Sequence, residues 1–219
     1  MPLPTRPIID MLPLVIPFVP GCPDYTATQA LRLAAVGFCE KSRVWREVMT
    51  VDVQAPDATI VTPDHAALHD IERAFWGPDK IDLEPVRFAD VSAAEILGAP
   101  KYITQTAANS VTLVPFEAGT VTIYAILKPK VGPEFGAIQG GTTKQAVQNV
   151  VPEFIHEQYA QMIAKGAIYR LKMMPGTSWY DPQSAPAFME EYRGDVAASF
   201  NKGIMGQQRA PIRSRAYWM

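Results

Sequence analysis

Cysteine is scarce in this chain of 219 residues, with only Cys22 and Cys39. Two cysteines make no disulfide framework for a small secreted scaffold, so a reducing compartment is expected. Long apolar runs are missing too. The stretch from Ile8 to Val19 is interrupted by Pro13 and Pro17 and followed by Pro20. It falls short of the ~20 apolar residues that span a bilayer, and no basic segment precedes it as in a signal peptide. A soluble intracellular chain without a membrane partner is expected. There is no internal repeat and no low-complexity block, which removes solenoids and arrays. Net charge is only −2, so the chain as a whole has no drive toward nucleic acid.

Proline, by contrast, is abundant. Twenty prolines beside fourteen glycines enforce many turns and extended stretches, because proline fixes φ and donates no backbone hydrogen bond. The small net charge also hides an uneven distribution. Residues 202 to 219 hold Lys202, Arg209, Arg213 and Arg215 and no acid, which leaves sixteen cations against twenty-two acids, −6, in residues 1 to 201. A basic end follows an acidic body.

Three segments carry helical periodicity. After a Pro-rich N-terminal arm (1–23), Leu31, Ala34, Ala35 and Phe38 recur at three- and four-residue spacing. Asp24 or Thr26 could cap this helix, and Lys41, Arg43 and Arg46 put positive charge at its C-terminal end. Pro152 opens a second helix, with Phe154, Ile155, Tyr159, Met162, Ile163 and Leu171 on one face, and Pro175 and Gly176 stop it. A third runs from about Pro182 through Phe188, Tyr192, Val196 and Phe200 to Gly203 or Gly206. Between the first two, residues 48–131 show short β-branched runs bounded by turn residues, the pattern of antiparallel strands. Ser110 to Phe116 and Thr120 to Leu127 are predicted to form a hairpin through Glu117, Ala118 and Gly119. Asp90 to Leu97 is predicted as a short helix with Ser92 and Glu95 as a capping box, and Gly132 to Gln148 as a long loop. The expected fold class is α+β. In it a helical bundle from both ends of the chain (24–47 and 150–203) brackets a β-rich antiparallel domain (48–131), with a loop at 132–149 and an extended C-terminal tail at 204–219.

Catalytic constellations are thin. His65, His69 and Glu72 stand at i, i+4 and i+7, which on a helix would gather three zinc ligands, but Phe75, Trp76 and Gly77 look like a strand and turn, so a solvated edge is the preferred reading. His156 lies beside Glu153 and Glu157, which could accept its protons, yet no nucleophile is placed near it by a local motif. Cys39 lies on an apolar helical face, where a free cysteine acts as a small hydrophobe. Gly140 to Lys144 lacks the spacing of a phosphate-binding loop. No catalytic residue, metal ligand or cofactor is assigned, and the chain is not expected to be an enzyme.

The tail is the most informative segment. From Gln207 to Met219 it alternates cations with apolar and aromatic groups. Arginine makes bidentate bonds and stacks on rings, and a Tyr-Trp pair supplies area for a pocket.

Five segments in order resemble the head-to-tail adaptor, or neck connector, family of tailed bacteriophages. They are Pro20 to Pro23, Phe38 to Glu47, Val111 to Pro115, Met174 to Pro182 and Arg209 to Arg213. The resemblance spans nearly the whole chain and departs from the family between Gly132 and Gln148, where the family has a shorter connection. It implies a structural virion protein of the phage neck, made in the host bacterial cytoplasm. Such a protein assembles as a ring of roughly twelve copies, sits on the portal protein, and joins it to a tail or nozzle component. DNA would pass through the channel without sequence-specific binding. The resemblance makes Arg209, Pro211, Arg213, Arg215, Tyr217 and Trp218 the portal-docking residues. Another oligomeric assembly or scaffold module, or a metal-dependent hydrolase, is the alternative.

Overall fold

A computed structural model describes residues 3–55, 58–60, 62–63, 65–87, 99–106, 109–130 and 149–205. The predicted helix at Asp90 to Leu97, the loop at Gly132 to Gln148 and the tail beyond 205 lie outside the described residues.

Side chains between Ile8 and Val19 contribute to the core. Strand β1 (Thr5–Pro7) pairs with β9 (Val150–Pro152), and two 3-10 turns follow at Ile8–Leu14 and Ile16–Phe18. The prolines prevent a continuous α-helix, but the three-residue period of a 3-10 turn still stacks apolar side chains on one side. Ile8 and Met11, three apart in the first turn, are buried completely, as are Val15 and Val19, which end the two turns.

Helix α1 (Asp24–Ser42) ends at Arg43, which takes the left-handed conformation (φ 52°) and donates its amide to the Cys39 carbonyl. No side chain caps its start, where Pro23 occupies the cap position. The buried face of α1 is built from Ala27, Ala30, Ala34 and Ala35 together with Leu31 and Phe38, so neighbouring helices can approach closely. Helix α2 (Glu153–Lys172) and helix α3 (Ala185–Met205) use that opening. Tyr192 of α3 lies against Gly166 of α2, where an added Cβ would stand 2.8 Å from the ring, and close to Gly37 of α1. Its hydroxyl donates to the Ala34 carbonyl at 3.1 Å.

Apart from the β1–β9 pair, the strands form a seven-stranded sheet in the order β2-β8-β4-β5-β6-β7-β3: β2 Arg46–Val53, β3 Ala58–Thr59, β4 Ala66–Trp76, β5 Ile81–Pro85, β6 Tyr102–Thr104, β7 Ser110–Val114 and β8 Gly119–Pro129. Its pairs are antiparallel except β5 with β6, which run parallel. The predicted hairpin is not there. Strand β8 pairs with β2 and β4, whereas β7 pairs with β6 and β3. Eleven residues of β8, fully buried at Ala125, Ile126 and Leu127, need long partners on both edges, and β7 has only five residues to offer. Register shifts in β4 between Leu68 and Asp70 and between Ile71 and Arg73 add local twist, which curls the sheet.

A helical bundle bracketing a separate β-domain is therefore not what the chain builds. The helices touch one another, but one continuous core holds Phe38, Ile163 and Leu171 from helices together with Val53, Ile71, Leu113 and Ile123 from the sheet. Trp45, buried completely between α1 and β2, stacks on His65 with 5.6 Å between ring centres. Lys128 of β8 pairs with Glu40 of α1 at 2.7 Å, and the Leu127 amide donates to the Trp45 carbonyl. The helices thus form a layer continued into the end of the sheet.

Gly166→Ala should push the Tyr192 ring out of place and cost about 1–3 kcal/mol in urea denaturation, as overpacking does. Burial pushes the Tyr192 phenol from its ordinary value of 10 up to about 12. A raised folded value means that its contribution to stability is intact below pH 10 and lost as pH rises toward 12. Urea midpoints measured across that window should fall less steeply for Tyr192→Phe than for the parent chain.

Candidate functional site

The six predicted docking residues, Arg209, Pro211, Arg213, Arg215, Tyr217 and Trp218, lie outside the described residues. Their point of departure does not. It is the last turn of α3, where the carbonyl groups have no intrahelical donor and carry the negative end of the helix dipole. There the Gly203 carbonyl accepts a hydrogen bond from Arg46 Nη1 at 3.1 Å. Arg46 also grips Glu72 of β4 through Nε at 2.6 Å and Nη2 at 3.0 Å. Beside it Arg43 pairs with Asp70 at 3.0 Å. Arg46, expected to face the dipole of the first helix, serves the end of the third one.

The register places Arg46 opposite Ile126 and Val48 opposite Tyr124, two residues further along the same face. Tyr124 stacks edge-on against Phe75, with ring centres 5.8 Å apart, and the Arg73 guanidinium lies 4.7 Å from the Phe75 ring centre. Val48 is 56% exposed and Tyr124 42%. An apolar and aromatic strip thus runs across the outer face of the sheet from the root of the C-terminal segment. On the other side of that root, an open groove of about 600 Å³ between α2 and α3 is lined by Gln158, Tyr159, Met162, Ala198, Ser199 and Lys202.

The turn between α2 and α3 is locked from within. Lys172 Nζ donates to Asp181 Oδ2 at 2.9 Å and to Ser184 Oγ at 2.7 Å, and the Ser184 hydroxyl and amide both bond Asp181. The Ser184 hydroxyl, with Lys172 behind it, holds the Asp181 carboxyl well below the usual carboxylate range. Gly21, at φ +83°, brings the Pro20 to Pro23 turn against this linker, since a Cβ there would stand 3.4 Å from Ser178 Oγ. Two of the segments that carry the adaptor resemblance therefore lie side by side.

The groups weighed as catalytic are dispersed into structural roles. His65 stacks on Trp45, and Glu72 is held by Arg46 on a strand and not a helix. Among the described residues no group of three or more His, Cys, Asp or Glu is placed to hold a metal ion. His156 stands in the first turn of α2 with its Nε2 buried and unbonded, and Glu153, its expected proton acceptor, pairs instead with Arg6 at 3.0 Å. Burial pushes the Cys39 thiol far up, which suppresses the nucleophilic thiolate. No helix among the described residues is long and apolar enough to cross a membrane. The chain matches no protein-family model and no curated protein.

Because the folded Asp181 carboxyl titrates below its ordinary value of 3.8, the stability it contributes is present above that pH and lost as the pH falls through and below it. Asp181→Asn should weaken the acid dependence of the thermal midpoint below pH 4, measured against the parent chain in the same buffers.

Proposed function

We propose that this chain is a head-to-tail adaptor of the neck of a tailed bacteriophage. It is a structural virion subunit that forms a ring on the portal, joins it to the tail or nozzle component, and lines the channel through which DNA passes. The observation that carries this reading is the rooting of the basic, aromatic C-terminal segment. The end of α3 is held against the sheet by Arg46, so the fourteen residues that follow in sequence, with three arginines and a Tyr-Trp pair, continue from an anchored helix end.

Two features support it. Two of the segments that carry the family resemblance lie side by side, since the Pro20 to Pro23 turn meets the α2–α3 linker, and a third, from Phe38 to Glu47, delivers Trp45 to the core and Arg46 to the end of α3. The charge distribution also suits a DNA conduit. An acidic body of net −6 repels passing phosphates, while the cations sit on the docking segment. The strip formed by Val48, Tyr124 and Phe75 is the surface we assign to the next tail component.

Deleting Gln207 to Met219 should leave the thermal midpoint within a few degrees of the parent and abolish co-sedimentation with the portal ring. Unchanged binding by the truncated chain would contradict the docking role of the tail.

A further inference from the structure

Arg46 is one side chain on three acceptor atoms. Its Nε and Nη2 are committed to the two oxygens of Glu72, and the remaining nitrogen, Nη1, is aimed at the Gly203 carbonyl. The contact closes 157 positions of sequence and ties β2, β4 and the last turn of α3 together. The chemistry asks for arginine: a planar fork can chelate a carboxylate and still donate elsewhere, which a lysine ammonium does without the same fixed directions. It also suits glycine at 203, because an added Cβ would stand 3.1 Å from Nη1. The carboxylate holds the fork in place, and the helix dipole favours a cation at this end. Each isolated piece is modest, since both side chains are about a third exposed and exposed ion pairs contribute little. The value of the contact lies in where it is made.

Resting on the adaptor reading, we propose that Arg46, braced by Glu72, is the positioning residue for portal docking. It fixes the end of α3 to the sheet and so anchors the helix turn from which the sequence of the docking segment continues. Residues 206 to 219, fully extended, reach up to ~50 Å. A loose helix end would add its own freedom to that reach, and each copy in the ring would bear an added ordering cost when it engages the portal. A fixed root removes part of that cost before docking. It also couples the sheet, which faces the tail, to the segment that faces the portal.

Three variants of the full chain test this: Arg46→Met, which keeps the apolar stem and loses every donor, Arg46→Lys, and the reversed pair Arg46→Glu with Glu72→Arg. The first readout is hydrogen exchange of the amides in the last turn of α3 without portal, and the second is affinity for the portal ring. Arg46→Met should speed that exchange roughly tenfold and weaken portal binding roughly fivefold, the scale expected for loss of one charge-assisted hydrogen bond. Arg46→Lys should recover part of both. The reversed pair restores the ion pair but turns a carboxylate toward the Gly203 carbonyl, so it should behave like Arg46→Met. Parental exchange in Arg46→Met, accelerated exchange at unchanged portal affinity, or full affinity in the reversed pair would each overturn the proposal. If the parent chain itself fails to bind portal, the adaptor reading and the docking role fall together, and the exchange arm alone then decides whether Arg46 fixes the helix end.

Discussion

Tyr192 is wedged where three helices converge, and the helical side of the molecule depends on that fit. The ring occupies space that only glycine leaves open at 166 and lies close to Gly37, while its hydroxyl satisfies the Ala34 carbonyl. Phe38 completes the arrangement, with its ring centre 5.2 Å from that of Tyr159 and 6.4 Å from that of Tyr192. A buried phenol needs a partner for its proton, and the carbonyl of a neighbouring helix supplies one at a cost of about 1 kcal/mol if removed. Because this contact sets where α3 lies against α1 and α2, it also sets where α3 ends, and hence whether Gly203 reaches Arg46.

The same economy joins the helices to the sheet. Trp45 lies two residues after the left-handed turn at Arg43 and is buried against His65, so the chain passes from helix to strand through a connection of only three residues, 43–45. Ile8 and Met11 within the first 3-10 turn, and Val15 and Val19 at the ends of the two turns, fill the core from the N-terminal side. A single core results, and the division into a bundle and a β-domain has no physical boundary to follow.

How much of this was legible in the sequence depended on whether the deciding contacts were local. The three long helices were, because apolar spacing and the residues that stop them lie within a few positions of each other: the first was expected over 24–47 and spans Asp24–Ser42, and the second begins directly after Pro152. Strand partners were not. Ser110 to Val114 and Gly119 to Pro129 adjoin in sequence, yet each finds partners elsewhere because the buried length of β8 matches β2 and β4. His65, His69 and Glu72 gather on one side only if residues 65–72 are helical, and most of that stretch is β4. The tail root was half visible. A cation at position 46 signals a helix end, but only the folded chain reveals which helix. The register that lines up Val48 with Tyr124 is equally non-local and left no periodic trace.

A ring subunit that bridges two other assemblies needs two separate surfaces and a rigid connection between them. Under the adaptor reading proposed above, the sheet strip, the Arg46 contact and the end of α3 would supply such a connection, with the basic segment as its portal end. The most direct test is imaging of the purified chain mixed with its portal ring. The account predicts a rotationally symmetric layer on the portal's narrow end, with the C-terminal segments running along the portal wall and the curled sheets facing away. Free subunits beside bare portals, or a layer attached through the sheet face with its C-terminal segments pointing away from the portal, would contradict it.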